Sequence, residues 1–232
     1  MAKRIAKEIF DSIKNGHKVL TEIESKEIFK AYGIPVVDGQ LARTREEAVV
    51  AAEKIGFPVV LKIVSPDITH KSDAKCVILG LANSGEVKSG FDKVLANANK
   101  FKRDAEIHGV LVQRMAPQGK EVIVGMSKDA QFGPALMFGL GGVMVEIAGD
   151  VSLRVAPIER KDAFEMIREI RGYPILEGAR GGERADLDAL VEILLSASRL
   201  AMDWQEIKEF DINPIFAYAK GALSVDARII LE

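Results

Sequence analysis

The sequence is poor in residue types that define several protein classes. Its 232 residues include one cysteine, three histidines and one tryptophan. A lone Cys76 excludes an intrachain disulfide, and its position in the apolar segment 74–79 predicts a buried structural thiol, because a reactive thiol needs an activating neighbourhood. Asparagine and glutamine are also scarce, five of each beside 32 basic and 34 acidic residues, which resembles the composition of thermophile proteins.

The chain also lacks a charge excess and a long apolar run. A formal net charge of −2 gives no general attraction to nucleic acid or to an anionic membrane. No segment approaches the roughly 20 apolar residues that span a bilayer, and the charged N-terminus is unlike a signal peptide. We therefore expect a cytoplasmic protein without nucleic-acid or membrane partners. Its 48% hydrophobic residues are enough for a sizeable core.

Helix and strand signals predict an α+β protein. The capping-box patterns Thr21–Glu24 and Thr44–Glu47 predict two helix starts, each helix ending at the next glycine. Extended segments follow at 34–37 and 58–64. Further strands are predicted at 76–82, 109–115, 121–126, 135–138 and 151–156, and further helices near 86–102, 160–171 and 186–201.

The most informative segment lies near the C-terminus, where 211–214 and 224–228 are predicted as two strands of one hairpin, reversing at Lys220-Gly221. Period-two alternation puts Glu209, Asp211 and Asn213 on one face of the first strand.

Together with Asp226 in the second strand, these side chains offer hard oxygen ligands that suit Mg²⁺ held against nucleotide phosphates. The alternative, the solvated face of an edge strand, has equal weight from this segment alone.

Two cationic features come earlier in the chain. Lys62 lies in an otherwise apolar strand. Its side chain either reaches the surface or binds an anion such as phosphate, and Glu121 could provide a counter-charge within the protein. His70 lies in the polar loop 65–75, and an imidazole nitrogen can accept a phosphoryl group. A solvated histidine is the more ordinary interpretation of that loop by itself, as it is for His17 and His108.

Two small-residue segments are weaker candidates. The glycine-rich turn Phe138–Gly142, followed by Val143–Glu146 and Asp150, could admit phosphates, although it has neither a P-loop nor a dinucleotide-binding pattern. Arg180, between small residues, could bind an anion, but a helix-linking loop explains it as well.

Taken in order, these segments resemble the ATP-grasp β subunits of ADP-forming acetate–CoA ligases. The resemblance covers nearly the whole chain and rests on Glu24–Lys26, Tyr32–Val36, Val60–Ser65, Thr69–Asp73, Val112–Met115 with Glu121, Phe138–Gly142, Asp211–Pro214 and Asp226. It implies an ATP-grasp fold, two α+β lobes clasping a nucleotide. The small lobe would be 24–115, and the large lobe 1–23 with 116–232.

The resemblance also implies roles for individual residues. Lys62 would contact nucleotide phosphates, and Asn213 and Asp226 would hold Mg²⁺ with Asp211 nearby. Adenine would be met by the backbone of the hinge segment, Val112, Gln113, Arg114 and Met115. Glu121 would act on the nucleotide or on Lys62. The glycines that relatives carry after the histidine loop are replaced here by Ala74-Lys75, which puts an amide nest there in doubt.

The implied reaction is reversible conversion of acyl-CoA, ADP and phosphate into a carboxylic acid, CoA and ATP. A separate CoA-binding α subunit, in an α₂β₂ assembly, would carry a first phosphohistidine, and His70 would pass the phosphoryl group to ADP. Alternatives are a succinyl-CoA synthetase β subunit, a ligase for another acid, or a regulatory nucleotide-binding module without catalysis.

Overall fold

The structure, a computed structural model, describes residues 1–13, 18–142 and 149–232. These residues form two compact units. One consists of residues 37–117, and the other combines residues 1–36 with 118–232. Each unit has its own hydrophobic core. No helix in the described part of the chain is long and apolar enough to cross a membrane.

The smaller unit is a four-stranded antiparallel sheet covered by two helices. Its strands have the order β1-β4-β2-β3. The core forms where Leu61 and Ile63 of the sheet meet Val87 and Val94 of the second helix. Its elements, in chain order, are β1 (Gly39–Ala42), α3 (Arg45–Ile55), β2 (Val59–Val64), β3 (Val77–Leu81), α4 (Ser84–Phe101) and β4 (Gly109–Arg114).

The larger unit begins with two helices, α1 (Ala2–Ile13) and α2 (Glu22–Ala31), and continues after the smaller unit. Its sheet has the order β10-β8-β5-β6-β7, with β9 also paired to β8. The remaining elements are β5 (Lys120–Asp129), β6 (Gly133–Leu140), β7 (Val151–Val155), α5 (Arg160–Glu169), α6 (Tyr173–Leu176), a 3₁₀ turn (Ala179–Gly181), α7 (Leu187–Asp203), β8 (Ile207–Ala217), β9 (Ala222–Ser224) and β10 (Arg228–Leu231).

One face of the larger sheet builds the core with the helices. Val124, Phe138 and Ile212 of the sheet are fully buried there with Leu194 of α7 and Met166 of α5. Side chains alternate along a strand, so the neighbours of these residues project from the opposite face. That opposite face carries the candidate site.

The compact units differ from the predicted lobes in where the smaller one begins. Ile28 and Phe29 of α2 are fully buried in the core of the larger unit, so this helix belongs there and the smaller unit begins at residue 37. The segment predicted as a strand at 34–37 makes only one bridge, between Val36 and Ser224. The second boundary falls at 117, two residues beyond the predicted 115.

Most local signals are confirmed. Thr21 and Glu24 form a reciprocal capping box at α2. At α3 the Thr44 hydroxyl accepts from the Glu47 amide, but the Glu47 carboxylate accepts from Arg43 N instead of Thr44 N, so the second box closes one residue early. Cys76 is buried, and this burial raises the pKa of its thiol.

Candidate active site

The row of polar residues on β8 is confirmed. Phe210 and Ile212 point into the core, whereas Glu209, Asp211 and Asn213 line a groove on the opposite face of the sheet. Against β5 the register shifts between Val122 and Val124, opposite Ile215 and Ile212.

This shift is a β-bulge that includes Asn213 and Pro214, and it returns Ile215 to the core face. Bulges of this kind redirect side chains next to functional sites.

Asp226 lies opposite Asn213. The predicted hairpin partner of β8 is two short strands, because β9 pairs at Ser224 with Ile215 and β10 pairs at Arg228 with Asp211. Three residues intervene on each side, and Asp226 and Asn213 are the middle ones. Asp226 therefore sits in a non-strand gap facing the bulge, and the turn at Gly221, with φ of +77°, closes the hairpin as predicted.

The groove has a volume of about 560 Å³ and lies wholly within the larger unit. Burial raises the pKa of Asp211, and the negative charges of Asp226 and Glu209 raise it further, while Arg228 lowers it. Repulsion among these carboxylates would be relieved by a cation. The groove is lined by Ile123, Gly125, Met126, Ser127, Lys128, Asp129, Ala135, Met137, Leu153, Glu209, Phe210, Asp211, Asn213 and Arg228.

The donor set fits Mg²⁺ better than a metal held by protein alone. Within the described ranges, no group of three or more His, Cys, Asp or Glu side chains is arranged to hold a metal ion. Mg²⁺ commonly takes one or two carboxylates and completes its octahedron with water and substrate phosphates. Asp211, Asn213 and Asp226 provide such a partial set, in which burial and the neighbouring charge of Asp226 raise the pKa of Asp211.

Two cations in the groove were not singled out from the sequence. Lys128 Nζ is 2.6 Å from Glu232 Oε1 and donates to Gln205 O at 2.8 Å. Arg228 Nη2 is 3.8 Å from Glu209 Oε1. The period that selects Asp226 also selects Arg228 two residues later, which was the available signal.

The glycine-rich turn packs against Glu121. Gly141 N donates to Glu121 O at 2.7 Å, and a Cβ at Gly141 would lie 2.8 Å from Glu121 Cβ. A Cβ at Gly142 would lie 3.3 Å from Glu121 Oε2. The absence of a Cβ at Gly141 and Gly142 therefore allows the turn to pack closely against Glu121, which is an exposed residue.

The smaller unit carries Lys62, His70 and the hinge segment. Lys62 is 3% exposed, so its side chain does not reach bulk solvent. His70 is exposed on a loop anchored at both ends, where Ile68 and Cys76 are buried and Asp67 accepts from Lys102 Nζ at 2.6 Å. This loop presents the imidazole outward and ends in a turn at Lys75, with φ of +54°.

The hinge segment is mostly strand. Val112 and Gln113 pair with β1 on one side and β2 on the other, and Arg114 Nη2 donates to Ile55 O. The backbone N–H and C=O groups of these strand residues are directed towards the neighbouring strands β1 and β2. Met115 alone among the four lies beyond the strand end, where its N–H donates to Pro58 O at 3.2 Å. The backbone contact with adenine predicted for Val112–Met115 stays a prediction.

Several weaker candidates are structural or lie outside the described residues. Asp150 is 6% exposed and its two carboxylate oxygens accept from Arg171 N and Gly172 N, each at 2.7 Å, so it orders that loop. His108 pairs with Glu106 at 2.9 Å. His17, the segment Val143–Glu146 and the Arg180 side chain lie outside the described residues.

The two units and this acidic groove define the class of the protein. A family model described as an ATP-grasp domain matches residues 11–231. The ADP-forming acetate–CoA ligase I subunit beta of Pyrococcus furiosus is 54% identical over 226 residues, covering 97% of each chain. The chain therefore belongs to the ATP-grasp family, in the branch of β subunits of ADP-forming acetate–CoA ligases.

Solved structures agree with this placement. A structure of acetyl-coenzyme A synthetase 1 from Ca. Korarchaeum cryptofilum with coenzyme A and Ca-AMPCP matches with a TM-score of 0.95 and 47% identity, covering 97% of this chain and 99% of that one. Another, with coenzyme A and Mg-AMPPCP and its phosphohistidine segment pointing towards the nucleotide binding site, gives 0.86 and 45%, covering 98% and 100%. The predicted ATP-grasp fold is confirmed.

Proposed function

We propose that this chain is the nucleotide-binding β subunit of an ADP-forming acetate–CoA ligase, which converts acetyl-CoA, ADP and phosphate reversibly into acetate, CoA and ATP. The observation that carries the proposal is an exposed histidine, His70, on an anchored loop of a chain that also presents an oxygen cluster suited to Mg²⁺. A nucleotide-binding module without transfer chemistry needs no such histidine.

The residues take the following roles in the proposal. Asn213 and Asp226, with Asp211, hold the metal ion, which neutralises phosphate charge when bound. Lys62 binds the nucleotide phosphates, and the backbone at Met115 contacts the edge of the adenine ring. Glu121 stays a nucleotide-site candidate, supported by the glycine turn that packs on it.

His70 acts as a phosphoryl carrier in the proposed reaction. Its imidazole nitrogen attacks the phosphorus held on the partner's histidine, so one P–N bond breaks as another forms. A terminal oxygen of the ADP β-phosphate then attacks the same phosphorus and displaces His70, giving ATP and a neutral imidazole. The Korarchaeum enzyme with its phosphohistidine segment towards the nucleotide site supports such a carrier here.

The proposal includes a CoA-binding α subunit as partner, since the Pyrococcus relative is named as a subunit. An α₂β₂ stoichiometry and a cytoplasmic location remain predictions. The acid is proposed as acetate from the relatives' names. A succinate-type or other acid ligase would differ mainly in the partner, so assays with several acyl-CoA substrates decide this point.

The direct test combines the chain with its α subunit, acetyl-CoA, ADP, Mg²⁺ and phosphate. We expect His70→Ala to abolish both ATP synthesis and acid-labile phosphate on this chain, a loss of at least about 10³-fold, since the nucleophile itself is removed. His108→Ala is the matched control, because His108 lies outside the 65–75 loop and its imidazole pairs with Glu106. Full ATP synthesis by His70→Ala would refute the carrier role.

A further inference from the structure

The side chain of Arg228 is held differently from the structural arginines of this protein. Arg154 donates to both carboxylate oxygens of Glu169, at 2.7 and 2.9 Å. Arg228 instead lies 3.8 Å from Glu209 Oε1, beyond hydrogen-bonding distance, and within the described ranges this is its nearest carboxylate contact. Its guanidinium is therefore close to an acid without being fixed by it.

Arg228 lies next to the oxygen cluster formed by Asp211, Asn213 and Asp226. It pairs with Asp211 across β10 and β8, lines the groove, and lies two residues after Asp226 in the chain. Two residues along a strand span about 7 Å, which is within reach of an extended arginine side chain. A phosphate held beside Asn213 and Asp226 would therefore be accessible to the guanidinium.

The other cation in the groove is already engaged. Lys128 Nζ is held by Glu232 at 2.6 Å and by the Gln205 carbonyl at 2.8 Å. Arg228 has five donors in a planar fork, the geometry that matches phosphate oxygens bidentately. Of the two groove cations, it is thus the one with donors to offer an anion.

We propose that Arg228 is a catalytic residue that donates to the oxygens of the phosphoryl group during its transfer between His70 and ADP. Asp211, Asn213 and Asp226 would hold a metal ion that neutralises these acids, which would leave the Arg228 guanidinium to donate to the phosphoryl oxygens. The inference rests on the proposed function. It adds a transition-state contact that metal ligands alone do not supply.

The test compares wild type, Arg228→Gln and Arg228→Lys in the complex with the α subunit, measuring ATP synthesis and Mg²⁺·ADP binding. We expect Arg228→Gln to lower kcat by about 10²- to 10³-fold, the effect of losing one charge-stabilising donor, with KM for Mg²⁺·ADP changed less than about threefold. Arg228→Lys should recover part of kcat because it restores charge without the fork.

A different result is expected if Arg228 serves only to neutralise the charge of Glu209. If Arg228 only balances that acid, Arg228→Gln combined with Glu209→Gln should recover activity, as a double-mutant cycle shows. Our proposal expects no recovery. Recovery, or an unchanged kcat in Arg228→Gln, would overturn it.

Two controls keep the outcomes distinct. Arg154→Gln removes an arginine that does not line the groove and whose carboxylate partners, Glu165 and Glu169, lie outside it, so it should leave kcat unchanged. Thermal unfolding of each variant reports whether the fold is intact, and Arg228→Lys serves if Arg228→Gln unfolds. An inactive wild-type complex would overturn the proposed function and this inference together, whereas an active wild type with an equally active Arg228→Gln overturns the inference alone.

Discussion

Asp211 shows how a single residue can oppose stability and favour function. Burial and the neighbouring charges of Asp226 and Glu209 raise the pKa of its carboxyl, and the attraction of Arg228 offsets them only in part. The ionised form is therefore disfavoured in the metal-free protein. Such a cost is typical of a carboxylate kept for a ligand.

We expect Asp211→Asn to stabilise the metal-free protein by about 0.5–1 kcal/mol at neutral pH, since it removes this repulsion without changing size. The raised pKa of Asp211 determines how this gain in stability depends on pH. The gain should be present above the folded pKa and absent below the unfolded value of about 3.9, where both states are protonated. Chemical denaturation as a function of pH measures it.

The same substitution should weaken Mg²⁺·ADP binding by at least about tenfold, measured by calorimetry. Asp104→Asn, an exposed acid in the smaller unit, is the control for a generic loss of charge. A destabilised Asp211→Asn that binds Mg²⁺·ADP normally would contradict both parts of this prediction.

At the scale of elements, α7 and the β8–β9 turn are joined by one carboxylate. Asp186 caps α7 by accepting from Ala189 N at 3.0 Å, and its other oxygen accepts from Gly221 N at 2.8 Å. The amides of Gly221 and Ala189 lower the pKa of Asp186. The turn of the hairpin that carries the oxygen cluster is thereby attached to the helix layer.

We expect Asp186→Ala to cost about 1–2 kcal/mol of unfolding free energy, because both a helix cap and a turn contact are lost. The depressed pKa means that this stabilisation is present above about pH 3.9 and is lost as the pH falls through the folded pKa. Denaturant titrations at pH 7 and pH 3 measure the difference.

Asp188→Ala is the matched control in the same first helical turn. Asp188 is exposed and pairs only with surface Arg160, so its loss should cost less than about 0.5 kcal/mol. Equal effects of the two substitutions would show that helix-end charge, not the link to the turn, matters.

Elements were predictable from the sequence where one local signal dominates. The capping box at Thr21, the apolar strand at 59–64 and the alternation along β8 each predicted the observed element. The bulge at Asn213 and the split between β9 and β10 were not predictable, because they depend on the register against β5 and β8. The two-residue period from Asp226 also selects Arg228, but its position opposite Asp211 is a cross-strand property that the sequence does not show.

At the scale of the whole molecule, the boundary of the two compact units differs from that of the two predicted lobes. The family resemblance implied a smaller lobe starting at residue 24, which would include α2. The side chains of α2 pack instead with the larger unit, because Ile28 and Phe29 complete its core. Lobe membership is a tertiary property, and a helix at a boundary can be assigned only when its buried face is matched to a core.

The whole chain also predicts which part of the reaction needs a partner. It carries both the proposed phosphoryl acceptor, His70, and the proposed nucleotide residues, so we expect transfer between ATP and His70 to require no other subunit. We expect the isolated chain with Mg²⁺ and γ-labelled ATP to acquire one acid-labile phosphate and to exchange label between ATP and ADP. It should form no acetyl-CoA until the α subunit, acetate and CoA are added.

His70→Ala should abolish both labelling and exchange, whereas His108→Ala should retain them. Removing Mg²⁺ with a chelator should also stop exchange, since the phosphate charge would no longer be neutralised. Isolated chain that binds Mg²⁺·ATP, as seen in a ligand-induced rise in unfolding temperature, yet exchanges no label would show that the partner completes the transfer site itself. The division of labour between the subunits would then lie at the phosphoryl step instead of at the CoA and acid steps.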